Sequence, residues 1–155
     1  MTVGMTDPKP AVRRLTPAEI ALLADDLVAL QRSAYAIEAQ LIGDDRIPQL
    51  QETAEELALA GLTWDVVEVD GLLVAGIAHR DASGVTDIER LVVHPSWHRQ
   101  GLGRRLVTSL PLGTATVSTG RDNPPARRLY ESLGFHHVAD EEVLPGLWVS
   151  TYDRP

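Results

Sequence analysis

Apolar residues change their spacing at Gly61, from a helical period before it to strand-like runs after it, and that change restricts the fold more than any other feature of the chain. Upstream, Thr16-Pro17-Ala18-Glu19 has the form of a capping box with proline at the first helical position. Ile20, Leu23, Leu27 and Leu30 follow at helical spacing, which predicts a helix over 17–31. A second, short helix is expected over 34–42, broken by the Gly43–Pro48 stretch, and a third over 49–60, stopped by Gly61. A brief strand over 11–15 precedes them. Downstream, Trp64–Val69, Leu72–Ala78 and Val85–Val93 read as strands joined at Asp70-Gly71 and Asp81-Ala82-Ser83-Gly84. A helix over 101–110, a β-branched strand over 114–119, a helix over 125–133 and a hairpin of 136–143 with 147–152 complete the order. Helices first, then a run of hairpin strands, then alternating helix and strand, describe a mixed α/β protein with a central sheet and crossover units.

The chain has 155 residues, no internal repeat and no linker, so one domain is expected over 11–155. Met1–Pro10 reads as a short flexible tail, without the charged and apolar regions of a signal peptide. No apolar run of about 18 residues occurs, so no membrane span is expected. There is no cysteine, which removes disulfides, thiolate metal sites and a cysteine nucleophile together, and is compatible with a cytoplasmic location. His94, His98, His136 and His137 lack paired ligand spacing, and His136 and His137 fall on opposite faces of a strand, so no metal is expected. The net charge of −8 argues against a nucleic-acid partner. It also suits a cationic substrate, although solubility is the plainer reason for it.

The segment Leu91-Val92-Val93-His94-Pro95-Ser96-Trp97-His98-Arg99-Gln100-Gly101-Leu102-Gly103-Arg104 carries a strand through a glycine loop into a helix. Glycines let a ligand approach the backbone, and the first amides of a helix carry partial positive charge with no partner inside it. Amides from Arg99 to Arg104 can therefore cradle a phosphate or diphosphate. Alone, the pattern is weak. The dinucleotide fingerprint needs a glycine where Leu106 stands, and the nucleotide P-loop needs a lysine that is absent. The bland alternative is a glycine turn that packs a helix on a sheet. A second segment, Asn123-Pro124-Pro125-Ala126-Arg127-Arg128-Leu129-Tyr130-Glu131-Ser132-Leu133-Gly134-Phe135, reads N-x-x-A-x-x-L-Y-x-x-x-G-F.

Taken in order with a strand between them, these two segments resemble the two cofactor motifs of the GNAT superfamily of acetyl-CoA-dependent N-acetyltransferases. The resemblance covers 66–135 well and the remainder by element order. One residue departs from it: His98 stands where the family usually has glutamine or arginine. The resemblance implies the GNAT fold, with a mixed, mostly antiparallel sheet of six to seven strands flanked by helices. Strands 85–93 and 114–119 would be parallel and splayed, with the donor between them. It implies acetyl-CoA as cosubstrate without a metal, bound by Leu91, Val92, Val93, Arg99, Gln100, Gly101, Leu102, Gly103, Arg104, Asn123 and Tyr130. The Val92 N–H would polarise the acetyl carbonyl, Tyr130 would donate a proton to the CoA sulfur, and Glu89 would take the amine proton. Asp87 is the reserve base. The acceptor would be a small-molecule or peptide amine, and the state a monomer or homodimer.

Each role has a plainer counterpart. Tyr130 shares an apolar helix face with Ala126, Leu129 and Leu133; Glu89 can pair with Arg90; Asn123 can simply cap a helix. Arg127 and Arg128 read as solvated helix charges, and Trp97 as loop packing. Tyr35, Glu38 and Gln40 lie in the region that forms the acceptor side in the family. Glu38 can attract an ammonium there, but the amphipathic-helix reading of that segment is the simpler one. A non-catalytic acyl-CoA-binding module is the alternative function, and a nucleotide or dinucleotide enzyme a more distant one.

Overall fold

The computed structural model describes residues 10–155; the expected tail lies outside them except for Pro10. The elements are β1 (Val12–Arg14), α1 (Pro17–Leu22), α2 (Ala24–Ile42), α3 (Ala54–Leu59), β2 (Thr63–Val69), β3 (Leu72–Ala82), β4 (Val85–Val93), α4 (Leu102–Thr108), β5 (Ala115–Gly120), α5 (Pro124–Ser132), β6 (His136–Leu144) and β7 (Leu147–Arg154). They build one seven-stranded sheet in the order β1-β2-β3-β4-β5-β7-β6. Every pairing is antiparallel except β4 with β5. This is the mixed sheet flanked by helices that the motifs implied.

Three helix boundaries differ from expectation. Both halves of the Thr16–Glu19 capping box form, at 3.1 and 3.0 Å. The helix then breaks at Leu23 (φ −99°, ψ 9°) and runs unbroken through Arg32-Ser33, where a gap was expected. Neither residue is a helix breaker, and the Ser33 hydroxyl donates back to the Leu30 carbonyl at 2.9 Å, satisfied within the helix. The helix expected over 49–60 begins later. Pro48 starts a single 3₁₀ turn, Pro48–Leu50, and a second capping box, Thr53 with Glu56, restarts the chain as α3.

Helices α1, α2 and α3 cover one face of the sheet over Trp64, Val66, Ala78 and Val92. Helices α4 and α5 cover the other, where Leu106, Val107 and Tyr130 pack on Ile77, Ile88, Val117 and Phe135. Two features of β4 prepare the site. First, β3 pairs Ala78 with Arg90 and then His79 with Ile88, so Glu89 is an extra residue opposite none. The bulge shifts the alternation of β4. Ile88, Leu91 and Val93 then share the α4 face, while Val92 turns to the α2 face. Second, β4 and β5 pair only at Thr86–Ala115, Asp87–Thr116 and Ile88–Val117. Beyond Ile88 the parallel strands part.

Candidate functional site

Two cavities open on that parting. A groove of about 600 Å³ runs between α2, the end of β4, the loop before α4 and the start of α5. A pocket of about 280 Å³ lies on the opening between β4 and β5, reaching Ile88, Glu89, Val117 and Tyr130. Glu38, Leu91, Asn123 and Ala126 line both, so the two cavities meet there.

The loop before α4 and the first turn of α4 form one end of the groove. Arg99 (φ 64°) and Gly101 (φ 75°) both adopt left-handed conformations as the loop turns into α4. A side chain at Gly101 would meet nothing within 4 Å, so conformation rather than crowding calls for glycine there. No side chain caps α4. Its first internal bond is Arg105 N–H to the Gly101 carbonyl at 3.0 Å, so the N–H groups of Leu102, Gly103 and Arg104 precede the helical ladder. Gly103 lies closer to the packing, where a Cβ would sit 3.4 Å from Leu129 Cδ2. His98, Arg99 and Gln100 are exposed, Trp97 packs against the core, and Arg104 reaches across to the Ser132 hydroxyl at 2.8 Å.

Of the expected β4 donors, Val92 faces the wrong way. The His94 N–H donates to the Val74 carbonyl of β3 at 2.8 Å. Amides two residues apart in a strand point to the same side, so the Val92 N–H is turned to β3 as well. The amides that face the parting are those of Leu91 and Val93.

Tyr130 is buried, with its ring edge-on to Phe135 at 5.4 Å between centroids. Among the described residues its hydroxyl has no hydrogen-bond partner, and it lines the pocket. Burial, and then the Glu38 carboxylate, push its pKa above the usual phenol value. Tyr35, one turn before Glu38 on α2, lines the same pocket and is pushed up for the same two reasons in the same order. Asn123 serves two contacts at once. Its Oδ1 accepts from the Ala126 N–H at 3.3 Å, capping α5, and its Nδ2 donates to Glu38 Oε1 at 3.3 Å. Burial raises the pKa of Glu38, against the opposing pull of Asn123 and the Gly120 N–H.

Glu89 lies at the pocket's outer end, half-exposed, 3.4 Å from the Arg80 guanidinium. Its pKa is raised by burial first and by Asp87 second. The partner expected for it, Arg90, points elsewhere: Arg90 forms an ion pair with Glu52, 2.9 Å between Nη2 and Oε2, and donates to Gln31 at 3.0 Å. Asp87, the reserve base, accepts from the Thr116 hydroxyl of β5 at 2.8 Å.

Helix α2, which the sequence offers chiefly as an amphipathic helix, contributes Tyr35, Glu38 and Ile42 to the pocket. Gln31, Tyr35, Glu38 and Ile42 recur at i, i+4, i+7 and i+11, one helix stripe facing inward. Polar residues on a stripe that faces inward were the available signal. The far wall, Val143, Leu147 and Val149, comes from the β6–β7 hairpin, and nothing local in those strands marks it.

The family model of the acetyltransferase (GNAT) domain matches residues 60–137, which hold β4, both glycine-loop elements and the Asn123–Phe135 segment. The chain belongs to the GNAT acetyltransferase family. It is similar to the UPF0157 protein YqkA of Bacillus subtilis (strain 168), 31% identical over 137 residues covering 85% of this chain and 40% of that protein. It is also similar to the mycothiol acetyltransferase of Corynebacterium efficiens, 41% identical over 86 residues covering 54% of this chain and 26% of that one. The chain thus spans less than half the length of either relative. In fold it matches the ribosomal-protein-S18-alanine N-acetyltransferase of Escherichia coli, with a TM-score of 0.73 at 18% identity over 94% of this chain and 92% of that one. The GNAT match leaves α2, with Tyr35 and Glu38, outside it. No helix among the described residues is long and apolar enough to cross a membrane.

Proposed function

We propose that the protein transfers the acetyl group of acetyl-CoA directly to a primary amine of a small molecule or peptide. The observation that carries this reading is the continuity of the two cavities: uncapped α4 amides at one end, the parted β4 edge in the middle, and the buried Tyr130 hydroxyl at the other. The α4 amides of residues 102–104 suit the CoA diphosphate. The free edge of β4 suits the amides of the pantetheine arm, which supply the strand-like donors and acceptors that β5 no longer provides there. The Leu91 or Val93 N–H then lies along the path of the thioester carbonyl and stabilises charge as it develops on that oxygen.

An alkyl amine has a pKa of about 10, so only about 0.1% is neutral at pH 7. A base must take a proton before or during attack. Glu89, with its raised pKa, is assigned that role, through a water molecule that spans the pocket. The amine nitrogen bonds to the acetyl carbon, the carbon–sulfur bond breaks, and the electron pair leaves on sulfur. Tyr130, whose raised pKa keeps it protonated at neutral pH, donates a proton to that thiolate and recovers it from the second proton that leaves the nitrogen as the amide forms. The products are the acetamide and CoA as the thiol. The chain has no cysteine, so no thioester forms on a cysteine of the enzyme.

The test is an amine panel with acetyl-CoA, read as free thiol. Saturable, amine-dependent thiol release supports the reading. Tight acetyl-CoA binding without release on any amine sinks it in favour of a non-catalytic acyl-CoA-binding module.

A further inference from the structure

Four charged side chains line the pocket between β4 and β5: Glu38, Arg46, Glu89 and Arg90. Three of them already face an opposite charge. Arg46 holds Asp44 at 2.7 Å and also donates to the Pro145 carbonyl; Glu89 faces Arg80; Arg90 is paired with Glu52. Glu38 has no cation beside it among the described residues. Its Oε1 is fixed by the Asn123 amide, and the Gly120 N–H also pulls on the carboxylate, but neither donor carries a charge. Gly120 lets α2 come close enough to hold it there, since a Cβ at that position would stand 3.1 Å from Ile42 Cγ2 and 3.4 Å from Glu38 Oε1. A half-buried carboxylate without a countercharge is costly unless something completes it. Burial already disfavours its charged form, so a cation that arrives there gains more than it would at an exposed carboxylate.

Beside these charges, Ile42, Ile47, Pro48, Val143, Leu147 and Val149 give the pocket a continuous apolar contribution, with Gln49, Ser118 and Thr119 as further polar lining. The volume, about 280 Å³, lies at the small end of ligand pockets, which run from about 300 to 1,000 Å³.

Resting on the acetyl-transfer reading above, we propose that Glu38 anchors the acceptor's ammonium, and that the acceptor is a primary amine borne on a compact apolar group. Because Glu38 lines both cavities, an amine held there stands where the groove delivers the thioester. Its apolar body lies against the Ile42–Val149 wall. Glu38 accepts N–H bonds from the amine in either protonation state, so it can hold the nitrogen through loss of the proton. A second ammonium would have only the Glu89 carboxylate to face, which already lies beside Arg80.

The test is calorimetry in the presence of CoA, with 3-methylbutylamine, its alcohol isostere 3-methylbutan-1-ol, and 1,4-diaminobutane as probes. On the wild-type protein 3-methylbutylamine should bind at least about tenfold more tightly than the alcohol or the diamine. Glu38→Gln should weaken the amine by at least about tenfold, bringing it level with the alcohol, with acetyl-CoA affinity changed less than about twofold. Val143→Arg, at an exposed position of the lining, brings a cation toward Glu38 and should weaken the amine more than the alcohol, which keeps the test independent of whether Glu38→Gln folds. An amine no tighter than its alcohol on the wild type, or unchanged in Glu38→Gln, overturns the proposal. Amine binding lost with Glu38 but never accompanied by CoA release upholds the anchor and sinks the transfer reading. CoA release with the same KM in both proteins does the reverse.

Discussion

The groove and the pocket share a border but are made of different material. The groove takes about half of its lining from a single run, residues 91–104, where two left-handed residues, Arg99 and Gly101, lead into the uncapped amides of α4. The pocket is assembled from α2, the loop after it, β4, β5, α5, β6 and β7, and its chemistry rests on side chains. A binding surface made of main chain demands glycine at particular places and leaves a readable trace. A surface made of distant side chains demands only that the fold bring them together, and so leaves a fainter one, here the polar stripe of α2. The first can stay constant while the second is exchanged to suit a different acceptor.

This contrast is open to direct attack by substitution. The largest effect is expected where a side chain of the pocket touches the reacting atoms. Tyr130→Phe should lower kcat by roughly 10²–10⁴ while leaving acetyl-CoA affinity nearly unchanged, because the ring still packs on Phe135. Stopped-assay thiol release and calorimetry separate the two quantities, and an unchanged kcat would remove Tyr130 from the chemistry. Next comes Glu89→Gln, at the lower end of that range, roughly 10² in kcat/KM. The sign of its pH dependence follows from its role. Only the carboxylate accepts a proton, so the wild-type rate should rise with pH through a pKa above the ordinary glutamate value, and that acid limb should disappear in the variant.

A backbone change in the groove should show the reverse pattern. Gly101→Val forces a β-branched residue to φ 75° and should raise the acetyl-CoA dissociation constant by about tenfold, with acceptor KM unchanged. A change confined to acceptor KM would mean that the two cavities are less separable than their construction suggests. The smallest effect is reserved for groove side chains. Gln100→Ala should alter acetyl-CoA affinity by less than about threefold, since Gln100 is exposed and only the main chain is invoked there. A large loss would show that side chains, not amides, hold the diphosphate.

Much of the architecture was legible in the order of periodicities and turns, because Asp70-Gly71, Gly101 and Gly134 punctuate elements whose apolar spacing is plain. The parted strands and the β4 loop could be anticipated from the motif. The turn of the Val92 amide could not, since it depends on the extra residue at Glu89, and a one-residue bulge reverses alternation without altering composition. The partnering of Arg90 by Glu52 was also out of reach, because the two stand 38 residues apart in the chain. The second capping box, by contrast, was in view at Thr53-Ala54-Glu55-Glu56 and yields the true start of α3.

A ladder of three residue pairs joins the β1–β4 portion of the sheet to the β5–β7–β6 portion. In geometry this joint is a corner hinge between two plates, closed at Thr86–Ile88 and open beyond, where the pocket lies. A ligand lying along that seam would splice the plates together, so saturation should slow amide exchange on both sides of the hinge at once.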